Sequence, residues 1–443
     1  MPSVGFSFGE SIYNRNLPKE DCFNLLEINF KGDIKLTQDF LVKDINLAPE
    51  GQLKIDWVAK WMKVVNRLQK KFSIDNSFKN KRVALCIHLE AKTAYLALII
   101  QKLGSEVWIT SSNTLSTKDE VAAALAKKGV HVFAIHGASQ QEYRSYLRSI
   151  VENKPHVVVD DGGDVCELLH RHPDYGENLK GICEETTTGV ARLKLMAEDG
   201  RLRYPAIGIN DAKSKYLFDN RYGTGQSTWT AIMHLTNMNI AGKTVVVIGY
   251  GWVGRGVALR AKGLGAEVIV TEIDPWKALE SRMDGFKVMP ILKAAPLGDI
   301  FVTTTGLENV LRIEHIEQMK SGAFLANTGH FDFEIDVKGL SRTAHYMKEV
   351  REGIEEYTMP NGNKIYLLAQ GGLVNIAGGL GHPVEIMDLS FAVQLGCLHY
   401  LLSSEKLSPG VYPVPDEIDE MVVREKLKVD GIEIDGFGKE VIG

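Results

Sequence analysis

Thr244-Val-Val-Val-Ile-Gly249-Tyr-Gly251-Trp-Val-Gly254 is the stretch on which the reading of this chain turns. Its β-branched run predicts a strand buried on both faces, and the segment beyond it reads as a helix, so the three glycines fall in a strand-to-helix turn. In that setting each glycine has a task. Gly249 permits the tight turn, Gly251 lets the backbone approach a pyrophosphate, and Gly254 lets helix pack on strand. The phosphates are then left at a helix N-terminus, beside Trp252 and Val253, where unpaired N–H groups point outward. Glu272 ends the next β-rich run, where a carboxylate accepts from the ribose hydroxyls of an adenosine and repels a 2'-phosphate. The expected cofactor is therefore NAD rather than NADP.

Outward from the motif, β-rich runs at 267–272, 300–305 and 324–327 alternate with helical segments, and an earlier series at 82–87, 106–110, 130–135 and 156–160 does the same. Such alternation predicts an α/β protein with two doubly wound parallel-sheet domains. Apolar residues at Val58, Trp61, Met62, Val65 and Leu68 predict one amphipathic helix over 53–72 ahead of the first series. Gly379-Leu-Gly-His-Pro383 breaks regular structure and reads as a hinge, after which a helix over 384–402 returns the chain to the first domain. The layout expected is an N-terminal appendage at 1–40 with strand-like runs at 23–30 and 40–42, a first domain at 41–224, a Rossmann domain at 225–383, returning helices at 384–425 and a tail at 426–443.

A chain of 443 residues is too long for a single core, and a cleft between domains is the default place for small-molecule chemistry. The net charge of -5 carries no block of Lys and Arg, which argues against nucleic acid or an anionic membrane as partner. The five cysteines are scattered without a C-x-x-C pair, as suits reduced thiols in the cytoplasm. Apolar stretches fall short of the roughly 20 residues that cross a bilayer, and the polar start is unlike a signal peptide. His170-Arg-His172 lacks a third ligand at metal spacing and reads as a solvated loop, so no metal is expected.

Several ionisable residues fall at strand ends or in Gly/Thr-rich turns: His88, Asp161, Glu185, Lys215 with Asp219, His330 and His382. A single His or Asp-Gly turn is more often structural than catalytic, but open α/β sheets bind ligands outside the carboxyl ends of their strands, where His88, Asp161 and His330 belong. The segments Glu184-Glu-Thr-Thr-Thr-Gly189, Phe218-Asp-Asn220, Gly249-Tyr-Gly-Trp-Val-Gly254, Thr271-Glu-Ile-Asp-Pro275 and Gly329-His-Phe-Asp332 resemble the S-adenosylhomocysteine hydrolase family, in the same order, from about 42 to about 425.

That resemblance implies a substrate domain, an NAD domain and a three-stage reaction on a nucleoside thioether: oxidation at the ribose 3' carbon, loss of homocysteine and addition of water at C5', and reduction back. It implies that Lys215 and Asp219 act at the 3'-hydroxyl and C4', with the lysine pKa lowered by burial so that it serves as base near neutrality. His88 and Asp161 would serve the 5' leaving group and water, and Glu185 and His330 the ribose hydroxyls. Glu90, Lys92 and Thr93 would hold the purine and His382 would meet substrate on closure. Thr186, Thr187, Thr188, Asn220 and Asn375 would lie on the nicotinamide side, with Thr304 and Asn327 as further cofactor contacts. The family also implies a homo-oligomer, usually a tetramer.

The chain departs from the commoner pattern in His88-Leu-Glu-Ala-Lys-Thr93, where Glu90 and Lys92 replace Thr and Glu. A Glu/Lys pair can read the N6 donor and N1 acceptor of adenine or, in the other orientation, the O6 acceptor and N1 donor of hypoxanthine. Its bland reading is a surface pair at i, i+2. Thr224 stands for a usual cysteine and Gly372 for a usual arginine, and after Tyr412 there is no tyrosine to reach a neighbour's cofactor, from which weaker NAD retention is expected. Two rivals share the fold: a non-catalytic NAD-binding regulatory protein, against which the retained ionisable set argues, and an ordinary NAD-dependent dehydrogenase, which would release NADH each turnover.

Overall fold

A computed structural model describes residues 39–329 and 332–435. Residues 1–38 of the appendage, residues 436–443 of the tail and His330 therefore lie outside the described residues. The strands in chain order are β1 (Arg82–Cys86), β2 (Glu106–Thr110), β3 (His131–Val132), β4 (Val157–Asp160), β5 (Gly181–Glu184) and β6 (Pro205–Gly208), followed by a second series. That series is β7 (Thr244–Ile248), β8 (Glu267–Thr271), β9 (Lys287–Val288), β10 (Ile300–Thr303), β11 (Ala323–Asn327), β12 (Tyr346–Arg351), β13 (Ile354–Thr358) and β14 (Lys364–Leu368). A last strand, β15 (Gly410–Pro413), rejoins the first sheet.

The first sheet runs β15-β6-β5-β4-β1-β2-β3 and is parallel throughout. The second runs β12-β13-β14-β11-β10-β7-β8-β9. In each, the chain starts mid-sheet and winds outward both ways, so strand order reverses between β1 and β4 and between β7 and β10. A ligand site is expected outside the carboxyl ends at those two reversals. Strands covered on both faces read as unbroken apolar runs, and Val83, Ala84, Leu85 and Cys86 are fully buried, as are Val245, Val246 and Val247.

The second sheet is not wholly parallel. β12, β13 and β14 pair antiparallel at its edge. The turns at Gly353 (φ 73°) and Asn361-Gly362 (φ 83°) are too short for a crossover, and left-handed glycines close them as hairpins. The helix expected over 53–72 is two helices, Ala48–Trp61 and Lys63–Phe72, parted at Met62 (φ -82°, ψ 63°).

The break has a long-range cause. Asp388, buried in the helix Val384–Ser403, accepts from the N–H groups of Val64 (2.8 Å) and Val65 (2.9 Å) and caps the second helix from outside. Burial pushes its carboxyl up to about 6 against the pull of those N–H donors. Asp388→Ala is expected to lower unfolding stability by about 2 kcal/mol, since it strands two buried donors; urea titration reads this, and an unchanged midpoint would remove the cap from the account. The helix Val384–Ser403 is itself long and apolar enough to cross a membrane, but its apolar window is 78% buried as the core helix of the first sheet.

His170 is not in a solvated loop. It ends the helix Asp164–Arg171, with Nδ1 2.6 Å from the Cys166 carbonyl and Nε2 accepting from the Arg203 N–H at 2.8 Å. Both ring nitrogens serve the fold, and among the described residues no three His, Cys, Asp or Glu side chains group as metal ligands.

Candidate active site

The carboxyl ends of the first sheet deliver the ionisable residues. His88 follows β1 and Asp161 follows β4, on either side of the strand-order reversal, and His88 Nε2 lies 3.6 Å from Asp161 Oδ2. The Ser116 hydroxyl donates to the Asn113 carbonyl (2.7 Å), so it accepts from His88 Nδ1–H, also at 2.7 Å. That assignment leaves Nε2 as the nitrogen that exchanges a proton on the Asp161 side. Ser112 donates to the same Asp161 oxygen at 2.7 Å.

Glu185, one residue beyond β5, faces Lys215. The lysine Nζ is 3.6 Å from Glu185 Oε1 and 3.5 Å from Asp219 Oδ1, and it donates to Asn220 Oδ1 (2.8 Å) and Asn210 Oδ1 (3.4 Å). Lys215, Glu185 and Asp219 are each no more than 6% exposed, so their protonation is set by one another rather than by water. Burial alone pulls the lysine pKa down, but the carboxylates of Asp219, Glu185 and Asp161 outweigh it and hold the pKa above the usual value. The expected lowering is therefore wrong for the free protein: Lys215 is an ammonium. Burial also raises Asp219, yet Lys215 and His382 prevail and hold it ionised, well below the usual carboxylate range. Glu185 goes the other way, pushed up by burial to about 8 despite Lys215 and a 2.6 Å hydrogen bond from Gln394.

The hinge meets this cluster directly. His382 Nδ1 is 3.2 Å from Asp219 Oδ1, and its Nε2 is 3.1 Å from the Thr224 hydroxyl. Glu90 and Lys92 are not a surface pair. Glu90 caps the helix Ala91–Lys102, accepting from the N–H groups of Lys92 (3.1 Å) and Thr93 (3.4 Å), and Lys92 Nζ bridges the Glu90 carboxylate (2.7 Å) and the Leu380 carbonyl of the hinge (3.1 Å). Thr93 ties its hydroxyl to the His88 carbonyl at 2.7 Å. A cleft lined by His88, Asn113, Ser116, Asp332, Leu373 and Ile376 separates these loops from those of the second sheet.

On the second sheet, Gly249 has φ 99° and a Cβ on Gly254 would stand 2.1 Å from the Gly249 carbonyl oxygen. A Cβ on Gly251 would meet nothing within 4 Å, so the turn presents bare backbone at the start of the helix Trp252–Gly263, and a pyrophosphate fits there. Glu272 braces the turn, accepting from Tyr250 N–H at 2.7 Å, while Thr304 after β10 donates to the carbonyls of Ile248 (2.8 Å) and Gly249 (3.1 Å). Asn327 accepts from Gly329 N–H at 2.8 Å and donates to the Gly371 carbonyl at 3.1 Å. Asn375 donates to Ser227 (3.1 Å), and its buried Oδ1 has no partner among the described residues, an acceptor fitting a carboxamide N–H such as that of nicotinamide. Thr186 caps the helix Thr187–Glu198, whose first turn holds Thr187 and Thr188.

Several members of the site escape sequence reasoning. Asn210 beside Lys215, Ser390 on Asp219 (2.6 Å) and Gln394 on Glu185 are among them, and so is Glu334, which accepts from the N–H groups of Thr305 (2.9 Å) and Gly306 (2.5 Å). Ser390 and Gln394 left one signal, two polar residues at i, i+4 within the apolar run 389–398 of one helix.

Comparison with known proteins gives two family matches, S-adenosyl-L-homocysteine hydrolase over residues 39–177 and the NAD binding domain of S-adenosyl-L-homocysteine hydrolase over residues 220–381. The chain is 51% identical over 406 residues to an adenosylhomocysteinase of Thermococcus kodakarensis (91% of this chain, 96% of the relative). It is 53% identical over 401 residues to an S-inosyl-L-homocysteine hydrolase of Methanocaldococcus jannaschii (90% and 96%). An adenosylhomocysteinase of Thermotoga maritima is 52% identical over 387 residues (87% and 96%).

Proposed function

The chain belongs to the S-adenosyl-L-homocysteine hydrolase family, and from that premise we propose that it cleaves S-adenosyl-L-homocysteine reversibly to adenosine and L-homocysteine. It is a hydrolase whose second sheet is an NAD-binding domain. Bound there, the dinucleotide supplies a two-electron acceptor for the ribose 3' carbon, so that the adjacent C4' hydrogen becomes acidic.

The convergence of Glu185, Asp219, Asn210 and Asn220 on Lys215, beside the His88–Asp161 pair, is the observation that carries this reading. In it Lys215 takes the proton of the 3'-hydroxyl, and Asp219 beside it takes the C4' proton as the sulfur leaves. The lysine ammonium becomes a base when bound substrate competes for Asp219 and Glu185 and completes the burial of the amine, since burial favours its neutral form. Asp219 aligns the lysine and holds the His382 ring closed over the site. His88 Nε2 protonates the departing sulfur at C5', and with Asp161 it then orients the incoming water. Glu185 and His330 bind the ribose hydroxyls. Thr186, Thr187, Thr188, Asn220 and Asn375 hold the nicotinamide half of the cofactor; Gly249, Gly251, Trp252, Val253, Gly254, Glu272, Thr304 and Asn327 hold the rest. Closure keeps water and oxygen from the oxidised sugar. The domain boundaries, a cytoplasmic location and assembly as a homotetramer are proposed on family resemblance.

Glu90 and Lys92 favour a second reading, S-inosyl-L-homocysteine hydrolysis by the same chemistry. The Lys92 ammonium is a donor suited to O6 of hypoxanthine and the Glu90 carboxylate an acceptor suited to its N1–H, whereas adenine requires the two to exchange places, Lys92 at N1 and Glu90 at the N6 amine. Homocysteine release from both thioethers, measured side by side, decides between them. The adenosyl substrate is expected to have the larger kcat/KM, by as much as about 10⁴-fold where paired polar groups read the base. A larger value for the inosyl substrate reverses the base assignment and leaves the chemistry intact. Steady accumulation of NADH would make the protein a dehydrogenase instead.

A further inference from the structure

Asp161 and Glu185 each follow directly on a buried carboxylate that the proposed chemistry does not use. Asp160 and Glu184 are register partners at the ends of β4 and β5, and both side chains are wholly inaccessible. Asp160 serves its own loop, accepting from the Asp161, Val165 and Cys166 N–H groups at 3.1, 3.4 and 2.8 Å. Glu184 reaches across loops. Its Oε1 accepts from Gly162 N–H (2.8 Å), the residue after Asp161, and from both the N–H (3.1 Å) and the hydroxyl (2.9 Å) of Thr186, the residue after Glu185.

One oxygen thus ties together the two backbone segments that carry Asp161 and Glu185, while its partner Oε2 has no hydrogen bond among the described residues. The carboxyl group is held from behind as well. A Cβ on Gly189 would stand 2.1 Å from Glu184 Cδ, so the helix Thr187–Glu198 packs its glycine against the carboxyl face and leaves it no other place.

We propose that Glu184 is a positioning residue for this site, a clamp whose single bridging oxygen fixes the separation of the Asp161 and Glu185 loops and hence of the 5' and ribose ends of the substrate. The inference rests on the functional reading above but concerns a residue to which that reading gives no role. The clamp needs an acceptor rather than a negative charge. Burial, then the neighbouring Asp160, pushes the Glu184 carboxyl well above the usual range, and Oε1 accepts from Gly162 and Thr186 in either charge state. A glutamine preserves that acceptor; a methionine of similar length does not.

Glu184→Met, Glu184→Gln and Gly189→Ala are prepared as NAD-loaded enzymes and compared with wild type in thiol release, and in amide hydrogen exchange over 161–163 and 185–187. Displacement of a reacting group by about 1 Å costs on the order of 10² in rate. The methionine variant is expected to lose about 10²-fold in kcat with KM changed less than threefold, and to exchange faster at both segments. The glutamine variant should stay within about threefold of wild type by both measures. Wild-type kcat and protection in Glu184→Met would overturn the clamp, and so would a glutamine variant as impaired as methionine, which would mean that charge matters and not the acceptor. Should the methionine variant fail to fold, Gly189→Ala decides: its methyl displaces the carboxyl group without removing it, so lowered kcat with faster exchange upholds the clamp and wild-type behaviour rejects it. Exchange does not depend on which thioether is turned over, so a wrong substrate assignment leaves that readout standing.

Discussion

The Lys215→Arg enzyme is expected to turn over its thioether about 10³-fold more slowly than wild type, as slowly as Lys215→Ala. The two variants differ in what they preserve. Arginine keeps a cation beside Asp219, so that ionised carboxylate stays compensated and the fold is retained, but a guanidinium does not give up its proton at any accessible pH. Alanine removes cation and proton acceptor together. In wild type the lysine starts as an ammonium because the acidic groups around it, Asp219 foremost, outweigh its burial, so its neutral form depends on substrate competing for them. If the lysine acted only as a fixed charge, arginine would keep kcat within about tenfold of wild type, and that result would remove Lys215 as the base. Single-turnover NADH formation reads the same step directly, since a base at the 3'-hydroxyl is needed before the hydride leaves the sugar. Both variants should therefore lack the NADH transient.

What the sequence made legible was local. The run Thr244–Ile248 and the turn after it report on themselves, because a buried parallel strand and a glycine turn are written within about a dozen residues. His88, Asp161 and Glu185 were legible for the same reason, each standing one or two residues beyond a strand end. The rest depends on distant partners. Asp388 breaks a helix that lies more than three hundred positions earlier, and Gln394 reaches Glu185 from a helix on the far side of the hinge. Nothing in the periodicity of 53–72 hints at the break at Met62, since both halves keep the same apolar face. The Lys215 pKa was misjudged because desolvation can be guessed from an apolar neighbourhood, whereas the carboxylates that outweigh it come from three separate elements. Glu184 and Glu334 share that character. Glu184 bridges the loops after β4 and β5, Glu334 grips the loop after β10 from beyond β11, and each has a glycine, Gly189 or Gly329, packed against its carboxyl group. Each sheet thus fixes its strand-end loops with an internal acceptor that only the folded topology brings into place.

Substituting the glycines of the 249–254 turn one at a time should separate folding from cofactor binding. Gly254→Ala places a methyl group 2.1 Å from the Gly249 carbonyl oxygen and 3.0 Å from Thr304 Oγ1. Backbone cannot yield as a flexible side chain can, so the helix Trp252–Gly263 must move off β7. Overpacking of this kind costs about 1–3 kcal/mol, and the apoprotein's unfolding midpoint should fall accordingly. NAD affinity should fall as well, by about 10–100-fold, because the N–H groups at the start of that helix lose their aim. Gly251→Ala meets nothing within 4 Å in the protein itself, so its stability should stay within about 0.5 kcal/mol of wild type. Its methyl group nevertheless stands where the pyrophosphate must approach the backbone, and NAD binding should weaken by a comparable factor. Urea unfolding of the two apoproteins and titration with NAD make the comparison. Loss of stability without loss of affinity at Gly254, or full NAD binding at Gly251, would place the phosphates elsewhere than on this turn.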